Sequence, residues 1–133
     1  DFLEQIDSRV RDALGGGLGD ADRWQGFTLK AIDGSSSKLA DTEENQEAFP
    51  QPSGQKPGCG FPVMGFAGLL NLGHGGWEAI ATGPQTAHDL TLAAELTAFL
   101  SEDDLLLADR AYCSYAFIAA VRARGAHCVM RLH

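Results

Sequence analysis

The sequence predicts one α/β domain built on a mixed sheet. Three observations support this prediction: an alternating strand pattern at Phe27–Ile32, two apolar stretches around a glycine turn, and a three-leucine run between two helical patterns. The resulting order is strand, strand, strand, helix, strand, helix, strand. Such an order is typical of a mixed sheet covered by crossover helices.

The first predicted element is an amphipathic helix from Phe2 to Leu14. Apolar residues recur at helical spacing, and Gly15–Gly17 ends the pattern. No Gly-Lys-Ser/Thr follows the glycines, so they predict a flexible connector and not a phosphate loop. We therefore predict a helix and connector over residues 1–23, followed by the main domain over residues 24–133.

The first strand runs directly into Asp33–Ser36, whose residue types suit a turn. This places Asp33 at the end of a strand. The chain then stays polar as far as Gly60, longer than a passive loop usually is, which indicates a functional or mobile segment. Inside it, Asp41 and Glu44 have the spacing of a helix capping box, and Pro50 ends the short helix.

The remaining elements follow from local patterns. Phe61–Leu72 and Trp77–Thr82 form a hairpin that completes an antiparallel meander. A crossover helix and a turn precede Leu105–Ala108, which is apolar throughout like a strand buried on both faces and which leads into Asp109. The predicted positions are Leu92, Leu96, Phe99 and Leu100 for the helix stripe, Ser101–Asp104 for the turn, Ser114–Arg124 for a last helix stopped by Gly125, and His127–Leu132 for a last strand.

Composition excludes several classes of protein. Hydrophobic residues make up 44% and charged residues 21% of the 133 positions, as in ordinary globular domains. No apolar run approaches the roughly 20 residues of a membrane helix, and the first residues lack a signal-peptide pattern, so we expect a cytoplasmic protein. The three cysteines form no Cys-x-x-Cys pair and are odd in number, which argues against a disulfide framework or a zinc site.

The charge is unevenly distributed. A net charge of -8 opposes the approach to a phosphate backbone and weighs against DNA binding by the chain alone. Eleven of the eighteen acids precede Pro50, whereas four arginines and no acid follow Asp109. The carboxy-terminal part is therefore the part expected to face a nucleic acid.

Asp33 and Asp109 are the residues most suggestive of chemistry, because each follows an apolar strand and strand ends are where sites collect. Two carboxylates brought together repel each other unless a cation lies between them, as in paired Mg²⁺ sites. Each residue also has a simpler explanation. Asp33 suits a turn, and Asp109 suits an ion pair with Arg110.

Four segments in this order resemble transposases of the insertion-sequence-four group. They are Asp33-Gly34-Ser35-Ser36, Asp41-Thr42-Glu43-Glu44-Asn45 with Phe49 after it, Leu107-Ala108-Asp109-Arg110-Ala111-Tyr112, and Gly125-Ala126-His127. The resemblance covers Trp24 to His133. It implies a ribonuclease H-like fold, in which strands one to three are antiparallel and strands four and five are added through helical crossovers.

The same resemblance implies DNA strand cleavage and strand transfer with two divalent ions, Mg²⁺ or Mn²⁺. Asp33 matches the first catalytic acid, which bridges the ions, and Asp109 matches the second, which holds one of them. The implied partners are transposon ends and target DNA. Lys38, Lys56, Arg110 and Arg131 are the candidate phosphate contacts, although exposed lysines and arginines are more often simply solvated.

One part of the family pattern is missing. The third acid of the family is a glutamate on a later helix within a Tyr, Arg, Glu, Lys pattern, and no segment before His133 fits it. We therefore expect a fragment whose fold is incomplete at the carboxy terminus, with weak metal binding and no activity alone. An exposed sheet edge also predicts self-association.

Two alternatives remain open. In the first, the chain is a non-catalytic transposase remnant that acts, if at all, as a binding or inhibitory module. In the second, it is a different ribonuclease H-like nuclease, in which Glu43, Glu44 or Glu78 completes the site.

Overall fold

A computed structural model describes residues 2–15, 19–56, 58–87 and 89–132; for residues 3, 4, 7, 11, 15 and 89 it describes the backbone alone. One five-stranded sheet with the strand order β3-β2-β1-β4-β5 organises the chain. Its strands are β1 (Thr28–Lys38), β2 (Val63–Asn71), β3 (Gly76–Pro84), β4 (Asp104–Ala108) and β5 (His127–Met130). The helices are α1 (Phe2–Gly15), α2 (Glu43–Ala48), α3 (Asp89–Leu96) and α4 (Tyr115–Ala123).

The topology confirms the predicted mixed α/β sheet of ribonuclease H-like type. Strands β1, β2 and β3 form an antiparallel meander. Strand β4 pairs with β1 in parallel, and β5 pairs with β4 in parallel. Parallel neighbours need crossover connections, and α3 and α4 provide them. The predicted helix at the amino terminus is confirmed as α1, whereas Gly16 and Gly17 of the predicted connector lie outside the described residues.

The prediction that β1 ends before Asp33 is wrong. Strand β1 continues to Lys38 because Asp33–Lys38 pair with Val63–Gly68 of β2, so that Asp-Gly-Ser adopts extended backbone and not a turn. Pairing with β4, by contrast, stops at Ile32. Asp33 therefore lies in the middle of β1, at the point where its parallel neighbour ends.

One face of the sheet, which we call the covered face, packs against α3 and α4. Its side chains alternate with those of the opposite face, and they form the hydrophobic core with Leu92 and Leu96 of α3 and Phe117 and Val121 of α4. Ser114 begins α4 by accepting a hydrogen bond from the Phe117 backbone amide, as the sequence predicted. Phe99 was predicted on the buried stripe, but the chain turns into a 3-10 helix at Thr97 and leaves Phe99 half exposed.

The opposite face, which we call the open face, carries exposed apolar side chains. Trp77, Ile80 and Val129 keep 48%, 58% and 55% of their surface accessible. The Trp77 ring lies against Gly68, where an added Cβ would sit 2.3 Å from a ring carbon, so only glycine fits at that position. Helices α3 and α4 contribute to the core on the covered face, and α1 contacts β3, where the Leu14 side chain lies next to Gly76.

The segment between β1 and β2 is held in place by its own side chains. Gln51 accepts hydrogen bonds from the Gly58 and Gly60 amides and donates to the carbonyls of Gln55 and Lys56. The predicted cap at Asp41 is wrong: Thr42 caps α2 by accepting from the Asn45 amide, because Thr42 immediately precedes the first helical residue.

The three cysteines are free thiols, Cys59 exposed and the other two half-buried. Burial raises the pKa of the Cys128 thiol, with the nearby Arg122 opposing that shift. Cys128 therefore stays protonated at neutral pH, in keeping with a packing role under α4. Among the described residues, no helix is long and apolar enough to cross a membrane.

Candidate functional site

Asp33 and Asp109, which we call the aspartate pair, lie on neighbouring parallel strands. The last register pair between β1 and β4 joins Ile32 to Ala108, and each aspartate is the next residue along its strand. Because Ile32 and Ala108 point into the core, alternation places both aspartates on the open face. Two residues separated by 76 positions in sequence are thereby brought to adjacent register positions.

Each carboxylate is oriented by a local backbone hydrogen bond. Asp33 Oδ1 accepts from the Gly34 amide at 2.9 Å, and Asp109 Oδ1 accepts from the Ala111 amide at 2.8 Å. The second contact makes Asp109 the cap of a 3-10 turn over Arg110–Tyr112. Both side chains are exposed, so the charged forms remain hydrated while the local bonds restrict their rotamers.

An open depression of about 510 Å³ contains the aspartate pair. Apolar side chains of the sheet form its floor, and Arg131 completes its rim. Since Ala108 pairs with Met130, Arg131 occupies the register position beside Asp109. Asp33 in the middle of β1 thus forms a row with Asp109 and Arg131, which directly follow β4 and β5, and one cation lies next to two anions.

The other predicted phosphate contacts are spread over the surface. Arg110 follows Asp109 directly and is exposed. Lys38 lies five residues beyond Asp33 on β1, roughly 17 Å away along an extended strand, and borders a separate polar cavity of about 580 Å³. Lys56 is exposed, and it lies in the segment between β1 and β2 that the hydrogen bonds of Gln51 hold together. Of the four predicted phosphate contacts, Arg131 lines the depression and Arg110 is the next residue after Asp109, whereas neither lysine lines the depression.

The glutamates considered as a third acid are placed elsewhere. Glu43 and Glu44 form the first turn of α2, where hydrogen bonds from the Glu44 backbone amide and then from Thr42 hold the pKa of Glu44 below its usual value. Glu78 forms an ion pair with Lys30 on the covered face. Among the described residues, no group of three or more histidines, cysteines, aspartates and glutamates is arranged to hold a metal ion.

Sequence reasoning missed a buried polar cluster, the Lys30 network, formed by Lys30, Asn71, Glu78 and Asp104. The Lys30 and Asp104 side chains are only 8% and 3% exposed, and Lys30 Nζ lies 3.0 Å from Asp104 Oδ2. Asp104 had been predicted in a surface turn. A lysine within an otherwise apolar strand was the only signal in the sequence, since its partners come from three other parts of the chain.

Comparison with known proteins identifies the family of this sequence. The sequence profile of a family described as the Transposase DDE domain matches residues 24–133. The chain is 30% identical over 104 residues to the transposase InsG of insertion sequence element IS4 from Escherichia coli strain K12. It is 27% identical over 105 residues to InsZ of the same strain, which is itself assigned as a transposase.

Each alignment covers 78% of this chain, but only 24% of InsG and 35% of InsZ, so the chain spans a quarter to a third of the length of these relatives. No solved structure matches it. The family profile covers most of the sequence, including both aspartates and the whole sheet. The chain therefore belongs to the Transposase DDE domain family.

Proposed function

We propose that Asp33 and Asp109 are the first two metal-binding carboxylates of a DNA transposase, which in the whole protein takes part in DNA strand cleavage and strand transfer. The observation that carries the proposal is their register. Each aspartate directly follows one member of the last register pair between β1 and β4, Ile32 with Ala108, and both aspartates lie on the open face. Residues 24–133 would form this catalytic part, with residues 1–23 as a separate helix and connector.

The donor chemistry of the aspartate pair fits a hard divalent cation, Mg²⁺ or Mn²⁺. Carboxylate oxygens are the ligands that such cations prefer, and two like charges on adjacent strands repel each other without one. Asp33 and Asp109 would hold the metal through oxygens left available by the hydrogen bonds to Gly34 and Ala111. When bound, divalent ions stabilise the attacking and leaving oxygens of an in-line phosphoryl displacement.

The basic residues are assigned to DNA. Arg131 and Arg110 border the aspartate pair and would contact phosphates next to the cleaved bond. Lys38 and Lys56 would contact DNA farther along its path. Such contacts orient the duplex without reading its sequence, so they serve transposon ends and target DNA alike.

We propose that the chain alone binds metal weakly and does not cut DNA. A pair of carboxylates leaves most positions around Mg²⁺ to water, because that ion takes six oxygen ligands. The relatives InsG and InsZ are three to four times longer than the aligned part. The remaining catalytic groups would come from sequence beyond the 133 residues.

The test is a Mn²⁺ titration followed by NMR, combined with a nicking assay on supercoiled DNA. Asp33→Asn and Asp109→Asn are compared with Asp103→Asn, an exposed aspartate at the opposite end of β4. We expect Mn²⁺ to broaden the Gly34 and Arg110 amides in wild type and in Asp103→Asn, and to do so far more weakly in the other two variants. No protein should nick DNA.

The other outcomes decide between the alternatives. Nicking that requires both aspartates would show that the remaining ligand lies within this chain and would contradict inactivity. Equal broadening in all four proteins would remove Asp33 and Asp109 as ligands. No Mn²⁺ effect in any protein would favour a non-catalytic remnant that acts as a binding or inhibitory module.

We also propose that the chain self-associates through its open face, where Trp77, Ile80 and Val129 are exposed. Trp77 and Ile80 lie on β3 and Val129 lies on β5, so exposed apolar side chains occur at both edges of this face, and such side chains are candidate contacts between copies. Light scattering at increasing protein concentration should show a mass above 14.1 kDa. A monomeric mass throughout would contradict the proposal.

A further inference from the structure

We infer that the Lys30 network sets the register of β4 against β1 and so aligns Asp109 with Asp33, which makes Lys30 and Asp104 positioning residues for the site. The inference rests on the function proposed above for the aspartate pair. The sequence of β4 specifies the register of this strand poorly.

Strand β4 reads Asp104-Leu105-Leu106-Leu107-Ala108. A strand with one apolar face resists slipping, because a shift by one residue turns its side chains to the wrong side. Here leucines occupy both faces, so a shift exchanges one leucine for another. Parallel strands also lack a tight hairpin turn that would fix their alignment.

A register error would be costly for the site. A shift of two residues keeps every side chain on its face but moves Asp109 along β1 by roughly 7 Å. Ligands of one Mg²⁺ lie about 2 Å from the ion, so two carboxylates displaced by that distance no longer share it. Some feature other than the leucines has to distinguish the observed register from its neighbours.

The first residue of β4 supplies that feature. Asp104 pairs in register with Thr28, and its Oδ2 lies 3.0 Å from the ammonium of Lys30, two residues farther along the same face. The same oxygen accepts hydrogen bonds from the Ser101 amide at 2.7 Å and the Ser101 hydroxyl at 3.1 Å. Any shift of β4 would leave Lys30 and Asp104 buried without each other.

Lys30 is itself held from three sides, as many as an ammonium has protons. Besides Asp104, it donates to the Phe99 carbonyl at 3.0 Å and pairs with Glu78 Oε2 at 2.5 Å. Glu78 reaches the covered face through a bulge in β3: Leu69 pairs with Ala79 and Leu70 with Trp77, so Glu78 is the extra residue. Buried polar groups of this kind select one alignment among several.

The chain from the network to the site is short and extended. Lys30 and Asp33 are three residues apart on β1, and Asp104 and Asp109 are five apart on β4. The strands pair along the whole intervening length, from Thr28 with Asp104 to Ile32 with Ala108. Fixing the alignment at one end of this pair therefore fixes it at the aspartates.

The decisive experiment uses the 133-residue chain with the triple substitution Lys30→Met, Glu78→Gln and Asp104→Asn. This variant removes all three charges while keeping acceptors for Asn71 and Ser101, so neither carboxylate is left buried and unpaired. We measure the urea midpoint, the NMR contacts between β1 and β4, and Mn²⁺ broadening at Gly34 and Arg110. Asp103→Asn, at the exposed residue next to Asp104, is the matched control.

We expect the triple variant to keep a urea midpoint close to that of wild type while its β1–β4 contacts are lost or doubled. Its Mn²⁺ affinity should fall by about tenfold or more, the usual loss when residues that support metal ligands are removed. Native contacts and native affinity in the folded triple variant would overturn the inference, because the network would then contribute stability alone.

If the triple variant does not fold, the single variant Asp104→Asn tests the inference, since it leaves the Lys30–Glu78 pair intact. Amide exchange across Leu105–Ala108 should then accelerate and Mn²⁺ affinity should fall; unchanged exchange and unchanged contacts would overturn the inference. The NMR contacts between β1 and β4 report the register of these strands even when no metal is added. A wild-type chain that ignores Mn²⁺ would therefore refute the proposed function while leaving the register measurement to judge the network.

Discussion

The two ends of the β1–β4 pair differ in the burial and in the sign of their charged side chains. At the amino-terminal end, Lys30 and Asp104 are buried and oppositely charged, and other polar groups saturate them. At the carboxyl end, Asp33 and Asp109 are exposed and alike in charge, and each accepts a hydrogen bond from a nearby backbone amide. The same two strands thus carry a closed end and an open end.

The contrast separates stability from function. A buried charge is tolerated only with partners, so the closed end has one low-energy arrangement. The two like charges at the open end are exposed to water and lie beside Arg131, and a bound divalent cation would reduce their repulsion further. The function proposed for the aspartate pair would need both properties within one pair of strands, because such a site requires an alignment that its own charges oppose.

The largest expected effect is at the closed end. Lys30→Met removes the cation that pairs with buried Asp104 and half-buried Glu78, and breaking a buried pair in this way typically destabilises a protein by about 3–5 kcal/mol. Urea denaturation measures the loss. Lys38→Met on the same strand should change the unfolding free energy by no more than about 0.5 kcal/mol; equal effects of the two substitutions would abolish the distinction between the ends.

A smaller loss is expected for Glu78→Gln. The amide oxygen can still accept from Asn71, but Lys30 loses a charged acceptor, and hydrogen bonds to charged groups contribute about 1.5–3 kcal/mol. Glu43→Gln on the exposed start of α2 is the control and should be close to neutral. A neutral Glu78→Gln variant would mean that Asp104 alone satisfies Lys30.

The smallest effect has the opposite sign. Asp109→Asn keeps the acceptor for the Ala111 amide but removes repulsion from Asp33, and like charges on adjacent strand positions cost about 0.2–1 kcal/mol. In metal-free, low-salt buffer the variant should therefore be slightly more stable than wild type. Added salt should narrow the difference, because exposed charges are screened. A less stable variant would show that Asp109 already has a favourable electrostatic partner.

Much of the fold followed from local patterns. The leucine run, the Gly73–Gly76 turn and the Ser114 cap each identify an element whose residues suffice to define it, and the structure contains all three. The four motif segments likewise led to the family. Asp109 was placed at the end of its strand because the apolar run before it has an unambiguous end.

Other features depended on pairing between distant segments. The length of β1 is set by β2, which extends the strand through Asp33 to Lys38 although Asp-Gly-Ser suits a turn. The burial of Lys30 is set by Asp104 and by the bulge that presents Glu78. Local propensity is weak compared with a ladder of backbone hydrogen bonds, so tertiary pairing overrides it.

The sequence by itself therefore determined the order and approximate position of the strands, but not the length of β1, and it identified which two aspartates are candidates for chemistry. Only the tertiary structure decided that these aspartates occupy adjacent positions on one face, and that a buried ion pair lies at the other end of their strands. The physical reason is that register between parallel strands joins residues far apart in sequence. It is decided by burial and charge pairing across the sheet, which no local pattern contains.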